Sequence, residues 1–330
     1  MIKDNFFKIT DLNQVVIIGW CPNISKILNI NSKLKIKTLI ITSPSQEKFF
    51  DKKIKINAFK NLDKNFENFI DRNCEIKKTL FLSISSMFVF KKKQIKFLDN
   101  NLINYFPSRL PYDTGRGGFS WHIMREDRIL NNNFHIIDEG INTGPIIFEE
   151  SKIFPSNCKI PIDYENYKWE EMNLFYETFI KKIITKKNFL LCKQNINLGR
   201  HNPSLNTLQN GFINWDMNSY DLFNFINAFD DPFIGASTFL NRPGFGKLFI
   251  KKIHLHGGDT GNHPYFSGIV SRKHKNWISV STTGKHMILV EQVLNSKGRN
   301  VIDKIFPGDR FYTPLKYIEK SKTKNTIYKA

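Results

Sequence analysis

The sequence predicts an α/β fold in which a mainly parallel β-sheet is followed by a small β-barrel. Near the N-terminus, three compact apolar runs alternate with segments of helical character, at residues 15–19, 39–42 and 79–84. Strands that alternate with helices form βαβ units, and such units build a parallel sheet. From residue 237 onward the chain changes to short apolar runs separated by Gly and Pro turns, a spacing that is typical of a small barrel.

Local patterns predict the elements between these landmarks. In the first half of the chain we expect a turn and helix at 20–28, helix and loop at 45–78, a short helix at 91–98, a helix beginning at 119–124 and a short strand at 134–137. Further on we expect a strand from 146, one long helix at 163–190 with its aromatic residues in the core, a linker at 194–215 and a helix at 220–229 capped by Ser219. The expected barrel runs are 238–240, 248–250, 268–270, 277–280 and 287–290, and the basic end, 319–330, is expected to fray. These elements divide the chain into domains at 1–200 and 237–330, joined by a linker and helix at 201–236.

The composition is that of a globular protein, with 41% hydrophobic and 24% charged residues among 330. No apolar run approaches the roughly 20 residues of a membrane helix, and the N-terminus lacks a signal-peptide core, so a cytoplasmic location is expected. The four cysteines are widely spaced and predict reduced, mostly buried thiols. A net charge of +19 suits nucleic acid or an anionic small substrate, although the even spread of Lys also fits a compositional bias.

The segment from Asn101 to Pro145 carries the densest set of polar residues at strand ends. An apolar run leads into Asn104, a Gly-rich turn occupies 115–118, and the run at 134–137 leads into Asp138-Glu139-Gly140-Ile141-Asn142-Thr143-Gly144-Pro145. Ligands of open α/β sheets bind at the carboxyl ends of strands, in loops that the scaffold positions. We therefore expect the functional site here.

This segment resembles the core of the 10-formyltetrahydrofolate-dependent formyltransferase family, which includes methionyl-tRNA formyltransferases and amino-sugar N-formyltransferases. The family pattern begins with Asn-x-His-Pro-Ser-Leu-Leu-Pro, which aligns with residues 104–111. An Arg-Gly turn and a Trp-bearing helix follow, and they are matched by residues 115–116 and by Trp121. The pattern ends with Asp-Glu-Gly-x-Asp-Thr-Gly-Pro, which aligns with residues 138–145. Further matches at 203–205, 211–215 and 230–236 extend the resemblance over nearly the whole chain. It implies a Rossmann-like formyltransferase domain with a small C-terminal β-barrel domain.

The resemblance also implies site residues. The family's catalytic Asn is retained as Asn104, whereas its His falls on Phe106 and its Asp on Asn142. The implied folate-binding residues are Met87, Phe88, Val89, Leu110, Pro111, Asp138, Glu139 and Gly140. The implied substrate-binding residues are Gly115, Arg116, Gly117 and Trp121. For two of these groups a plainer interpretation stays open, since 87–89 would also suit an ordinary core and 115–118 a simple connection before a helix.

Formyl transfer requires a hydrogen-bond donor for the developing oxyanion and a group that takes a proton from the amine. The Asn104 amide can donate, but Phe106 can neither donate nor titrate, and the Asn142 amide has no useful basicity. His135, on the strand that leads to Asp138, is the candidate replacement, although a hydrogen-bonded structural His is the alternative. His122, Asp138 and Glu139 are further candidates in the segment.

Three histidines near the barrel, His254, His256 and His263, are candidate metal ligands together with Asp259. No cysteine or carboxylate pair completes a ligand set, so turn and barrel-edge roles are expected and no metal is predicted. The four-cysteine spacing likewise predicts no metal site.

The function predicted from the resemblance is N-formylation of a nucleotide-linked amino sugar, with 10-formyltetrahydrofolate as cofactor and a departed active site. The alternative is a non-catalytic or repurposed protein of the same fold that binds a folate or nucleotide. A second alternative is a tRNA formyltransferase, which the barrel and the net charge favour. Because two of three catalytic positions are changed, the sequence leaves open whether the protein is an enzyme.

Overall fold

The computed structural model describes residues 5–115, 118–257 and 262–323, and these form two compact units. The first unit contains residues 5–114, 129–153 and 167–201. The second contains residues 115, 118–128, 154–166, 202–257 and 262–323. The predicted domain boundaries at 200 and 236 stay a prediction.

The elements are numbered along the chain. The strands are β1 (Phe6–Phe7), β2 (Gln14–Gly19), β3 (Lys37–Thr42), β4 (Asn57–Ala58), β5 (Thr79–Ile84), β6 (Leu102–Phe106), β7 (Asp113–Gly115), β8 (Ile129–Ile136), β9 (Ile146–Ile153), β10 (Phe189–Leu190), β11 (Arg200–Asn202), β12 (Ala236–Leu240), β13 (Leu248–Gly257), β14 (Val270–Lys273), β15 (Ile278–Val280), β16 (His286–Asn295) and β17 (Phe311–Tyr312). The helices are α1 (Ile24–Lys33), α2 (Lys64–Asn73), α3 (Lys92–Phe97), α4 (Gly118–Met124), α5 (Pro161–Ile184), α6 (Thr207–Asn210), α7 (Ser219–Asn227) and α8 (Leu315–Thr323). None of the helices in the described ranges is long and apolar enough to cross a membrane.

The first unit is built on a seven-stranded sheet in the order β4-β3-β2-β5-β6-β8-β9. The five strands from β4 to β6 are parallel, so the predicted mainly parallel sheet is confirmed. All six residues of β2 are buried, as expected for a central strand that is covered on both faces. The strand order reverses between β2 and β5, which makes the carboxyl ends of these two strands a topological switch point.

Two apolar clusters cover the two faces of this sheet. One contains the buried face of α1 and the α5 aromatics Phe175 and Phe179. The other contains Phe66 and Ile70 of α2, together with Leu98 after α3. The aromatic residues Phe175 and Phe179 of α5 lie in the core as expected, whereas Leu174 and Ile184 are 60% and 40% exposed, because the helix contributes only one stripe of its surface to the sheet.

The last two pairings of the sheet are antiparallel: β8 runs antiparallel to β6, and β9 runs antiparallel to β8. The expected strand at 134–137 is longer than predicted and begins at Ile129. Its middle contains three consecutive asparagines, and pairing with β9 rather than local propensity holds them extended. In the β6–β8 register, Asn104 lies directly opposite His135.

The second unit contains a six-stranded antiparallel sheet in the order β14-β15-β16-β13-β12-β17. A bridge between Ile269 and Arg310 joins the two edges of this sheet, and the predicted barrel is confirmed. The helix expected at 220–229 is α7, but its N-cap is Asn218, whose side chain accepts from the backbone N–H groups of Tyr220 and Asp221. Ser219 is therefore the first helical residue and not the cap.

Two segments expected to be irregular contain helices. The predicted linker includes α6, and residues 319–323 of the expected frayed end belong to α8. The latter helix is held by packing, because the ring of Tyr317 stacks on Phe212 and Phe239 at 5.0 and 5.1 Å. All four cysteines are free thiols; Cys21 and Cys158 are buried, while Cys192 is exposed.

A buried ion pair fixes the entry into the barrel. The ammonium of Lys251 on β13 lies 3.5 Å from the carboxylate of Asp230 and donates to the Phe233 carbonyl at 2.8 Å. Lys251 is 6% and Asp230 1% exposed. Removing one partner of a buried pair leaves an uncompensated charge, which typically costs 3–5 kcal/mol.

We therefore expect Lys251→Met to lower the free energy of unfolding by about 3–5 kcal/mol, measured by urea unfolding. The neighbouring Lys252 is exposed on the same strand, so Lys252→Met is the matched control, with an expected change within about 0.5 kcal/mol. Equal effects of the two substitutions would show that the ion pair does not hold this part of the barrel.

Candidate active site

Three of the predicted catalytic residues meet in the first unit. The amide nitrogen of Asn104 on β6 lies 3.2 Å from Nε2 of His135 and 3.5 Å from Oδ1 of Asn142. His135 faces Asn104 across the strand pair, and Asn142 reaches the same place from the loop after β8. The structure thus brings together two side-chain amides and one imidazole.

The hydrogen bonds define the tautomer of His135. Its Nδ1 lies 2.9 Å from the carbonyl oxygen of Ile136, and because a carbonyl only accepts, Nδ1 carries the hydrogen. Nε2 is then the acceptor for the Asn104 amide. His135 is only 2% exposed, and this burial lowers its pKa; hydrogen bonds to Ile136 and Asn142 and the charge of Asp138 oppose the shift without cancelling it.

The loop between β8 and β9 is closed by its own polar residues. One carboxylate oxygen of Asp138 accepts from the Gly140 amide at 3.1 Å and from the Thr143 hydroxyl at 2.6 Å. A Cβ at Gly144 would overlap the carbonyl oxygen of Ile136, so only glycine fits there. Asn142 has a φ of 59°, a left-handed conformation that Asn tolerates well. The Asp138 carboxylate is thus engaged in holding the loop.

Two side-chain amides hold the backbone of the segment after β6 and of the loop between β8 and β9. Asn133 on β8 donates to the carbonyls of Phe106 and Ser108, at 3.2 and 2.6 Å. Gln194 donates to the carbonyls of Asn142 and Gly144, at 3.1 and 2.5 Å. The sequence does not predict either contact: Gln194 lies in the predicted linker, and nothing local signals a contact between residues 50 positions apart.

The loop after β5 lies at the switch point, close to the end of β2. Gly19 has a φ of 117°, and a Cβ there would overlap the carbonyl oxygen of Ile84, so the two strand ends approach closely only because of this glycine. Gln46 donates to the Ser85 carbonyl at 2.8 Å. Met87 and Val89 are 63% and 75% exposed. The plainer interpretation of these two as core residues is therefore wrong.

The other predicted folate-binding residues differ in their surroundings. Phe88 packs against the apolar cluster on the α2 side of the sheet, as does Ile137 at the end of β8. Glu139 forms an exposed ion pair with Lys92, 2.9 Å apart, which joins the start of α3 to the β8–β9 loop. Leu110 is buried, and the Leu110–Pro111 peptide is cis.

The predicted substrate-binding residues that the structure describes belong to the second unit. Gly115 ends β7 and has a φ of 100°; a Cβ there would overlap the Asn202 carbonyl oxygen on β11. The indole of Trp121 donates to the Pro203 carbonyl at 2.8 Å, so its N–H is already engaged. Arg116 and Gly117 lie outside the described residues.

The other candidate histidines lie outside the contact of Asn104, His135 and Asn142. His122 is buried, and its Nδ1 lies 3.5 Å from the Asp127 carboxylate. His254 lies 3.2 Å from Glu291, and the side chain of His263 caps a short turn. Within the described part of the chain, no group of three metal-ligating side chains is found; Asp259 lies outside that part.

The buried neutral His135 has a consequence for acid stability. Its pKa is below the value of 6.5 that it has in the unfolded chain, so the unfolded chain binds the proton first as the pH falls. The free energy of unfolding should therefore decrease below about pH 6.5, by at most about 1.4 kcal/mol per pH unit from this group. His135→Gln should remove this part of the decrease in urea unfolding across the acid range, whereas His256→Gln, at an exposed position, should not.

A carboxylate placed beside the His135 imidazole should counteract the lowering of its pKa. In Asn142→Asp the new charge favours the imidazolium, so the pKa of His135 should rise, as measured by NMR titration of the ring. Asn195→Asp places the same charge on an exposed neighbouring segment and should leave the ring titration unchanged. A His135 titration in Asn142→Asp like that of the wild type would mean that the two side chains are not adjacent in solution.

Comparisons with known proteins agree with this architecture. Residues 207–308 match the family described as the formyl transferase C-terminal domain. The cytosolic 10-formyltetrahydrofolate dehydrogenase of Xenopus laevis is 26% identical over 147 residues, which cover 41% of this chain and 15% of that protein. The methionyl-tRNA formyltransferase of Syntrophus aciditrophicus is 24% identical over 218 residues, covering 65% of this chain and 66% of that enzyme.

Solved structures share the fold over longer stretches. An N-formyltransferase from Helicobacter canadensis, solved with folinic acid and dTDP-3-aminofucose, has a TM-score of 0.60 at 18% identity, covering 85% of this chain and 99% of that one. A 4-N formyltransferase from Francisella tularensis has a TM-score of 0.53 at 20% identity, covering 74% and 94%. Residues 207–308 thus match the formyl transferase C-terminal domain, and the chain shares its fold with the solved formyltransferases.

Proposed function

We propose that this protein transfers a formyl group from 10-formyltetrahydrofolate to the amine of a nucleotide-linked amino sugar. The observation that carries the proposal is the contact of Asn104 with the buried, uncharged His135 and with Asn142. The fold shared with an N-formyltransferase solved with folinic acid and dTDP-3-aminofucose supports this choice of donor and acceptor.

The residues at the switch point fit a folate. Met87 and Val89 expose apolar side chains on a loop whose backbone Gln46 holds in place. Such exposed apolar groups beside polar strand ends suit a flat ring that has hydrogen-bonding edges. We assign the ring site to this loop and to Asp138, Glu139 and Gly140, with Leu110 and Pro111 behind it.

The chain's own groups can perform the two tasks of the reaction. The folate supplies a formyl carbon bound to its N10; the amine nitrogen bonds to that carbon, the bond to N10 breaks, and N10 gains a proton while the amine loses one. When the Asn104 amide turns from His135 to the formyl oxygen, it stabilises the developing charge there. The same movement frees Nε2 of His135, which is unprotonated, to accept the amine proton.

In this assignment His135 takes the place of both the His and the Asp of the family pattern. Phe106 cannot titrate, and the Asn142 amide serves as an acceptor for Asn104 rather than as a base. We propose Asn104, His135 and Asn142 as the catalytic set. Gly115, Arg116, Gly117 and the ring of Trp121 are proposed to bind the anionic nucleotide sugar, and the free cysteines fit a cytoplasmic location.

The test is a formyl-transfer assay with 10-formyltetrahydrofolate and a panel of nucleotide-linked amino sugars, with the N-formyl product detected by mass. We expect turnover that Asn104→Ala lowers by about 100- to 1000-fold, the usual effect of losing one oxyanion donor. Asn73→Ala removes an exposed amide of α2 that bonds only within its helix, and this control should retain full rate.

Calorimetry with a reduced formyl-folate analogue separates the alternatives. Folate binding without turnover across the panel would favour a repurposed binding protein. Absence of folate binding would overturn the proposal. Salt-sensitive tRNA binding with formylation of the charged tRNA would favour the tRNA enzyme instead.

A further inference from the structure

Gln194 lies where the chain leaves β10, well apart in sequence from the proposed catalytic residues. Its amide nitrogen donates to the carbonyl oxygens of both Asn142 and Gly144. Because carbonyls only accept, these two bonds fix which end of the side-chain amide faces the loop. The other end, Oε1, is buried and has no hydrogen-bond partner among the residues that the structure describes.

The two accepting carbonyls belong to the part of the loop that determines the position of Asn142. Asn142 is in the left-handed region, and Gly144 is in a place where no side chain fits. The Asp138 carboxylate closes the preceding turn through Gly140 and Thr143. Gln194 therefore adds the two hydrogen bonds that tie the Asn142 end of the loop to a separate segment of the chain.

We propose that Gln194 is a positioning residue that holds Asn142, and through it Asn104 and His135, in register for the reaction. Its two donors hold the backbone carbonyls on either side of Thr143, so a backbone movement that carries Asn142 away from Asn104 has to break these bonds. The catalytic part of this inference rests on the proposed function, whereas the structural part is independent of it.

The chemistry of the contact distinguishes possible replacements. Gln194→Leu removes both donors while it keeps most of the side-chain volume. Gln194→Glu keeps the shape but turns a carboxylate oxygen toward two carbonyls, which is repulsive when the carboxylate is ionised. Lowering the pH protonates that carboxylate and returns one donor, so the effect of Glu should diminish in acid, whereas the effect of Leu should not.

The matched control is Gln94→Leu. Gln94 is also nearly buried, and its amide nitrogen donates to the Leu62 carbonyl at 2.7 Å, a contact of the same kind near α3. Both Leu variants should lose stability in urea unfolding. Only the Gln194 variants should alter the position or the titration of the His135 ring signals in NMR spectra, since only they release the Asn142 neighbour of that ring.

In the formyl-transfer assay, Gln194→Leu should lower kcat by about 10- to 100-fold, the scale on which a displacement of about 1 Å in a catalytic group acts, and should leave KM for the folate unchanged. His135 signals in Gln194→Leu and Gln194→Glu that coincide with those of the wild type would overturn the proposal. If the wild type shows no formyl transfer, the proposed function fails, and the NMR comparison still decides the role of Gln194.

Discussion

The antiparallel register between β6 and β8 is the constraint on which the candidate site depends. It places Asn104 opposite His135, and a slip of one residue would turn His135 to the other face of the sheet. The apolar face fixes this register, because the rings of Tyr105 and Phe134 pack 5.9 Å apart and Phe134 stacks on Phe175 of α5 at 4.7 Å. Core packing on one face thus determines which polar side chains meet on the other.

The resulting site consists of uncharged groups at neutral pH. His135 is buried and its pKa is lowered, Asn104 and Asn142 are amides, and the nearby Asp138 carboxylate holds its own loop through Gly140 and Thr143. An uncharged imidazole can accept a proton, whereas a charged one cannot, so the protonation state of His135 agrees with the proposed role of a base. An amide at position 142, where the family pattern has Asp, agrees with an uncharged His135, since a carboxylate there would favour the imidazolium.

Amide side chains hold the loops that surround this site. Gln46 holds the loop after β5, Asn133 the segment after β6, and Gln194 the loop after β8, each by donating to backbone carbonyls. Loops at strand ends lack the regular ladder that satisfies their backbone groups, and donors from neighbouring segments supply what is missing. Because an amide carries no charge, these contacts hold the loops without adding a charge near His135.

The fold class, the parallel strands, the barrel and the segment that contains the candidate site could be predicted from the sequence, because hydrophobic periodicity and turn residues are local properties. It also singled out Asn104, Asn142 and His135, although no feature of the chain showed that they would meet. Only the packing of distant segments brings these three side chains into contact and leaves Met87 and Val89 exposed. The same packing places Gln194 against the loop after β8. The physical reason is that register, burial and long-range hydrogen bonds depend on how distant segments pack, and local sequence does not encode which side chain a neighbouring strand will bring opposite.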